Sequence, residues 1–162
     1  MCEQFAADVE RQLIDQYIAT GKVSFEYRQF IVVDGNVGGT ESQRAAEASE
    51  CANEQGEFWN YHKMVFTNWN GEGQGAFADR RLKAFAEHLQ LDTTKFNDCF
   101  DSNRYASAVA DDVALGRARG LSSTPSLFLN GQLVDNNSLW DRTRGGFDFA
   151  KLSQWLDAEL AK

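Results

Sequence analysis

Phe5, Val9, Leu13 and Tyr17 recur every fourth residue, and Ala6 and Ile14 widen the apolar stripe they form. Charged residues and glutamines fill the other positions. Such a stripe predicts an amphipathic helix over 3–19, which Gly21 closes. Val23, Phe25, Tyr27, Ile31 and Val32 are strand formers, so a strand is expected over 22–32. Residues 34–39 read as a loop. Thr40-Glu41-Ser42-Gln43 fits a capping box, with Thr40 as the cap and Gln43 reaching back; it opens a helix over 44–54 that carries Cys51. Phe58, Tyr61, His62, Val65 and Phe66 predict a helix over 57–67. Leu82, Phe85, Ala86 and Leu89 predict another over 77–91. Asp92 is expected to cap a short helix, 93–101, that carries Cys99. A long helix over 102–119 should stop at Gly120 with Leu121 behind it.

The run 123–131, Ser-Thr-Pro-Ser-Leu-Phe-Leu-Asn-Gly, holds the only proline of the chain. Asn130-Gly131 after an apolar run reads as a tight hairpin turn, with 126–130 as one strand and Gln132 to Val134 returning as the next. Proline donates no ladder hydrogen bond, so Pro125 belongs at a strand's first residue. It is a candidate cis peptide; the alternative is a trans proline that only starts a strand. Asp148 should cap a last helix through Leu152, Trp155, Leu156 and Leu160. A block of helices between one strand and a later hairpin suggests an α/β core with a helical insertion.

The chain has 162 residues, 43% hydrophobic and 12% aromatic, enough for a sizeable core. Its formal charge of −8 argues against a nucleic-acid surface, which needs clustered Lys and Arg. No apolar run approaches the roughly 18 residues of a membrane span, and no signal-peptide pattern opens the sequence. Gly71-Glu72-Gly73-Gln74-Gly75 resembles a phosphate loop only in its glycines, because no strand precedes it and no Lys-Ser/Thr helix follows. It reads as a surface loop. His62 lies on an apolar stripe and reads as a packing residue rather than a ligand. Trp59, Trp69, Trp140 and Trp155 are expected in the core or at a domain seam, Trp69 with the option of exposure. Asn136-Asn137-Ser138 matches a glycosylation acceptor pattern.

Several stretches in one order resemble the DsbA-like branch of the thioredoxin superfamily: residues 17–23 leading into Phe25-Glu26-Tyr27-Arg28, then residues 44–52, Gln55-Gly56-Glu57-Phe58-Trp59, and Ser123-Thr124-Pro125-Ser126. The resemblance implies an α/β thioredoxin fold interrupted by a helical domain, with 1–39 and 120–162 as the thioredoxin-like part and 40–119 as the insertion. It implies a cis Pro125 facing a Cys-x-x-Cys pair. Cys2 matches the second, resolving cysteine of that pair; the attacking cysteine and the strand before it have no counterpart in these residues.

The activity so implied is thiol–disulfide exchange with protein thiols as substrates, outside the cytoplasm, without a cofactor or metal, and with a redox partner that the residues do not name. Cys2 would be the resolving thiol, and Thr124 and Pro125 would shape the peptide-binding edge. Alone, Cys2 could form a mixed disulfide but not cycle as a dithiol. Two other functions fit the same residues: a redox-inactive binding module, and a relative that transfers thiols with glutathione. Three cysteines is an odd number; Cys51 and Cys99 are expected to form a structural disulfide, the alternative being two buried thiols. A sheet lacking its inner strand exposes unpaired amides. Strand exchange, sliding of strands, or a homo-oligomer through the bare edge is the expected remedy.

Overall fold

The computed structural model describes all residues but Asn136. The acceptor pattern at 136–138 therefore lies, at its asparagine, outside the described residues. The chain divides into two compact units, Met1–Tyr27 with Ser123–Lys162, and Arg28–Ser122.

The first unit is built on a continuous helical run over residues 2–18, α1. Cys2–Phe5 and Arg11–Leu13 have α geometry, while Ala6–Glu10 and Ile14–Ile18 are wider π turns. The spacing of the apolar residues accounts for this. A stripe repeating every four residues drifts around a helix of about 3.6 residues per turn, and π turns, which close on the fifth residue, take up that drift. Phe5, Val9, Leu13 and Tyr17 consequently stay on one buried line. They pack with Leu139, Phe147, Phe149, Leu152 and Leu156, and the Phe5 and Phe147 rings meet edge to face at 5.3 Å.

Around this core lie two small antiparallel hairpins. Strands β1 (Phe128–Leu129) and β2 (Gln132–Leu133) pair Phe128 with Leu133 and Leu129 with Gln132. Asn130 (φ 49°) and Gly131 (φ 82°) are both left-handed, the type I′ geometry that matches strand twist. The sheet is shorter than the expected 126–130, although Val134 N–H donates to Leu127 O at 2.8 Å and continues the ladder. The second hairpin pairs β3 (Trp140–Asp141) with β4 (Gly146–Phe147). The Asp8 carboxylate fastens it to α1 by accepting from Phe147 N–H at 2.8 Å. The last helix, Phe149–Leu160, is capped by Asp148, which accepts from Ala150 N–H. Tyr17 Oη–H donates to Asp157 at 2.8 Å and ties that helix to α1.

The strand expected at 22–32 does not form: residues 23–32 belong to no assigned strand or helix. Exposure still alternates over 23–28, half-buried then exposed, as periodicity required. A strand, however, is made by the neighbour it bonds, and the assigned strands of this unit are used up in their own hairpins.

The second unit is helical: Val33–Val37, Glu41–Asn53, Phe58–Thr67, Asp79–His88, Thr93–Asp101 and Ala106–Ala118. Its core gathers Cys51, Tyr61, Leu82, Phe96, Cys99 and Phe100, each 1% exposed or less. The short helix at 33–37 replaces the expected loop. The capping box at Thr40 is also corrected, since the Thr40 side chain makes no cap bond. Instead the two Asp34 carboxylate oxygens accept from Ser42 N–H and Gln43 N–H, both at 2.9 Å. The Gln43 side chain turns forward to Glu47 at 2.9 Å. Asp92 caps as expected, accepting from Lys95 N–H. Gly120 ends the long helix in Schellman form, with Leu121 N–H on Gly116 O and Gly120 N–H on Arg117 O. Trp59 joins Trp69 in being exposed rather than in a core, at 39% and 42%. His62 is buried among the rings of Phe58, Trp59 and Phe66.

Candidate functional site

Cys2 is the first residue of α1, and its sulfur is the free thiol of the chain. The loop entering β1 comes up against it. The Thr124–Pro125 peptide is cis, and Ser126 Oγ–H donates to Ser123 O at 2.8 Å, folding the loop on itself. The Thr124 side chain hydrogen-bonds the Cys2 sulfur. Cys2 and the loop of Thr124 and Pro125, from opposite ends of the sequence, are therefore brought side by side in the first unit.

Two sets of influences act on the sulfur. Burial is the largest, and it disfavours the thiolate. The hydroxyl of Thr124 and the positive amino group of Met1 favour it, as does a backbone N–H at the helix start. The Glu10 carboxylate opposes it again. The balance leaves the Cys2 pKa above the ordinary cysteine value. At neutral pH Cys2 is held as a thiol, half-buried and hydrogen-bonded, rather than as a standing thiolate. Glu10 has no part in the sequence expectations. The signal for it was present nonetheless: a carboxylate set into the apolar positions of α1 at the same every-four spacing as Cys2, Ala6, Ile14 and Ile18.

Cys51 and Cys99 are bonded to each other, with Cα atoms 5.8 Å apart and a sequence separation of 48. They belong to the other unit and staple the helix Glu41–Asn53 to the helix Thr93–Asp101. At 1% and 0% exposure neither sulfur meets solvent, so this disulfide is placed to hold the helical core rather than to exchange. Among the described residues no group of three or more His, Cys, Asp or Glu side chains could hold a metal ion. No helix among them is long and apolar enough to cross a membrane.

A family model described as thioredoxin matches residues 1–148. Among curated proteins the chain is similar to Na(+)/H(+) antiporter NhaA 1 of Salinispora arenicola, 35% identical over 120 residues, which are 74% of this chain and 16% of that protein. It is also similar to a putative protein-disulfide oxidoreductase of Rickettsia prowazekii, 21% identical over 142 residues, 85% of this chain and 49% of that protein. The chain thus spans a minor part of the one and about half of the other. Among solved structures, oxidised BdbD of Bacillus subtilis superposes with a TM-score of 0.81 at 21% identity, covering 99% of this chain and 81% of that one. Wolbachia pipientis alpha-DsbA1 superposes with a TM-score of 0.73 at 23% identity, covering 99% and 79%. The fold is therefore DsbA-like, a thioredoxin fold carrying a helical unit.

Proposed function

We propose, for a chain that belongs to the thioredoxin family, thiol–disulfide exchange on protein substrates, with Cys2 as the reacting sulfur and Thr124 and Pro125 as the edge that receives the peptide. The observation carrying this reading is the hydrogen bond from the preproline threonine to the free thiol. It supports the reading because it brings the sulfur beside the cis-proline loop that leads into β1.

The step balances simply. Cys2 gives its proton to solvent, and the thiolate attacks one sulfur of a peptide disulfide. A new S–S bond joins Cys2 to that sulfur as the old bond breaks. The other sulfur leaves as a thiolate and takes up a proton. A second thiol, from substrate or from a small-molecule thiol, reverses the mixed disulfide. Cys51 and Cys99 are sealed together, so within these residues Cys2 has no second free thiol with which to cycle, and the sulfur that completes a turnover comes from elsewhere. A setting outside the reducing cytoplasm suits the structural disulfide.

A redox-inactive peptide-binding role is the second reading, favoured by the raised pKa of Cys2. The test follows mixed-disulfide formation by mass spectrometry, with a cystine-containing peptide and with glutathione disulfide. Exchange at Cys2 that is faster with the peptide is expected, and Cys2→Ser should abolish it. Peptide binding without exchange would establish the second reading instead. Faster exchange with glutathione disulfide would favour a glutathione-dependent transferase.

A further inference from the structure

β2 is an outer strand of its hairpin: it pairs with β1 and, among the described residues, with no other strand. Leu129 and Gln132 flank the two-residue turn as the hydrogen-bonded pair, so Phe128 and Leu133 form the non-hydrogen-bonded one. Val134 N–H on Leu127 O, at 2.8 Å, continues that alternation. The N–H and C=O of Leu133 therefore point away from β1, and the residue is 56% exposed. A cleft of about 400 Å³ opens beside this edge, between the hairpin and the last helix. The same register puts Leu129, Gln132 and Val134 on the hairpin face that lines it. The last helix contributes Trp155, Ala158 and Glu159, with Lys162 just past its end, the i, i+3, i+4, i+7 spacing of one helix face. Leu152 and Leu156, on the neighbouring face, lie in the core. The helix thus buries one face in the core and turns a second toward the position that a strand beyond β2 would cover.

We propose that the outer edge of β2 and this cleft bind an extended peptide strand, with an arginine or lysine of that strand set into the cleft. Leu133 offers the added strand one backbone donor and one acceptor. Side chains alternate along such a strand, so the residue over the cleft is flanked by residues on the opposite sheet face, beside the Leu133 side chain. The cleft is apolar at its floor and acidic at its rim. Trp155, Leu129 and Val134 suit the aliphatic stem of a basic side chain, and the indole face attracts its cation. The helix supplies the carboxylate of Glu159 and the segment after β2 that of Asp135. Glu159 accepts from Lys162 Nζ on one oxygen and from Asn130 Nδ2, at 3.2 Å, on the other. A carboxylate has about four acceptor positions, so both oxygens keep room for a further N–H. Lys162 is the one cation among the lining residues, and its side chain is 70% exposed, so it screens the two carboxylates weakly. A basic residue between apolar ones is the sequence this edge complements, and an acidic residue in the same place meets like charge.

The test titrates the protein with a capped peptide Thr-Val-Arg-Val-Thr, and with the same peptide carrying leucine or glutamate at its centre, and follows the Leu133 amide and the Trp155 indole by NMR. The arginine peptide should move both signals, slow hydrogen exchange at Leu133 N–H, and bind about tenfold more tightly than the glutamate peptide. Glu159→Gln should weaken the arginine peptide about two- to fivefold and leave the leucine peptide unchanged. Leu133→Pro removes the outward N–H at a place where an edge strand accepts proline, and should abolish binding of all three. In case that variant does not fold, an arginine peptide methylated at its valine and arginine amide nitrogens puts the same ladder to the test on the wild-type chain, and it should not bind. Equal affinities for the three peptides, or a Leu133 amide that none of them moves, would overturn the proposal. So would protection of Leu133 N–H that grows with protein concentration before any peptide is added, since the edge would then belong to a second copy. None of these readouts uses disulfide exchange, so their failure is distinct from failure of the proposed activity.

Discussion

The Thr124 hydroxyl hydrogen-bonds the Cys2 sulfur, so the loop that presents Pro125 also influences the ionisation of the thiol. A hydrogen bond to a charged acceptor contributes about 1.5–3 kcal/mol. Its loss in Thr124→Val should raise the Cys2 pKa further and slow alkylation near neutral pH by about tenfold. Thr124→Ser should keep the donor and most of the rate. Equal rates for the valine and serine variants would show that the hydroxyl does not act on the sulfur.

The Cys51–Cys99 bond closes a loop with 48 residues of separation. Chain entropy assigns such a crosslink about 4 kcal/mol. The double variant Cys51→Ala, Cys99→Ala should lower stability by about that amount in denaturant melts, with the small cavities left in the core adding to it. Thiol counting gives a second check. The native chain should show one reactive thiol, from Cys2, and the unfolded, reduced chain three. Three reactive thiols in the native, unreduced protein would contradict the pairing.

Asp34 caps a helix that begins seven residues later, and Thr40, the residue at the cap position, contributes no side-chain bond. Asp34→Ala should therefore cost about 1–2 kcal/mol. Thr40→Ala should cost only a few tenths of a kcal/mol, judged by urea midpoints. The reverse order of effects would restore the local capping box.

That contrast marks where the sequence could be read and where it could not. Asn130-Gly131, Asp92 and Asp148 act on backbone within three residues of themselves, and their turn and caps formed where expected. The every-four stripe of Phe5, Val9, Leu13 and Tyr17 gave the first helix, and its departure from 3.6 already contained the π turns. Asp34 was hidden because its carboxylate acts across a turn, which no local pattern encodes. Residues 22–32 have strand chemistry, but pairing depends on a neighbour the segment cannot specify. The hairpin at 140–147 was missed because Arg142-Thr143-Arg144-Gly145 lacks an alternating flank. At the site, periodicity could place Cys2 at a helix start and Pro125 at a strand start. Only the family resemblance set them face to face, and it was silent on Glu10.

The titrating groups give the fold a window of maximal stability. Burial raises the pKa of Cys2, Tyr17, Tyr61 and Tyr105. The folded state therefore holds these protons longer than the unfolded chain, and their stabilising contribution is lost as pH rises past the ordinary cysteine and tyrosine values. At the other end the Arg104 guanidinium lowers the pKa of Glu54, the Lys95 backbone N–H that of Asp92, the Thr143 hydroxyl that of Asp141, and Lys162 that of Glu159. These carboxylates stabilise the fold above their unfolded values near pH 4, and that stability falls away as pH drops through the folded ones. The urea midpoint should be flat from about pH 5 to about pH 8 and decline on both sides. Arg104→Ala should shrink the acid decline and leave the alkaline one nearly unchanged. A midpoint that holds steady or rises between pH 5 and pH 3 would show that these ion pairs and caps do not stabilise the folded chain.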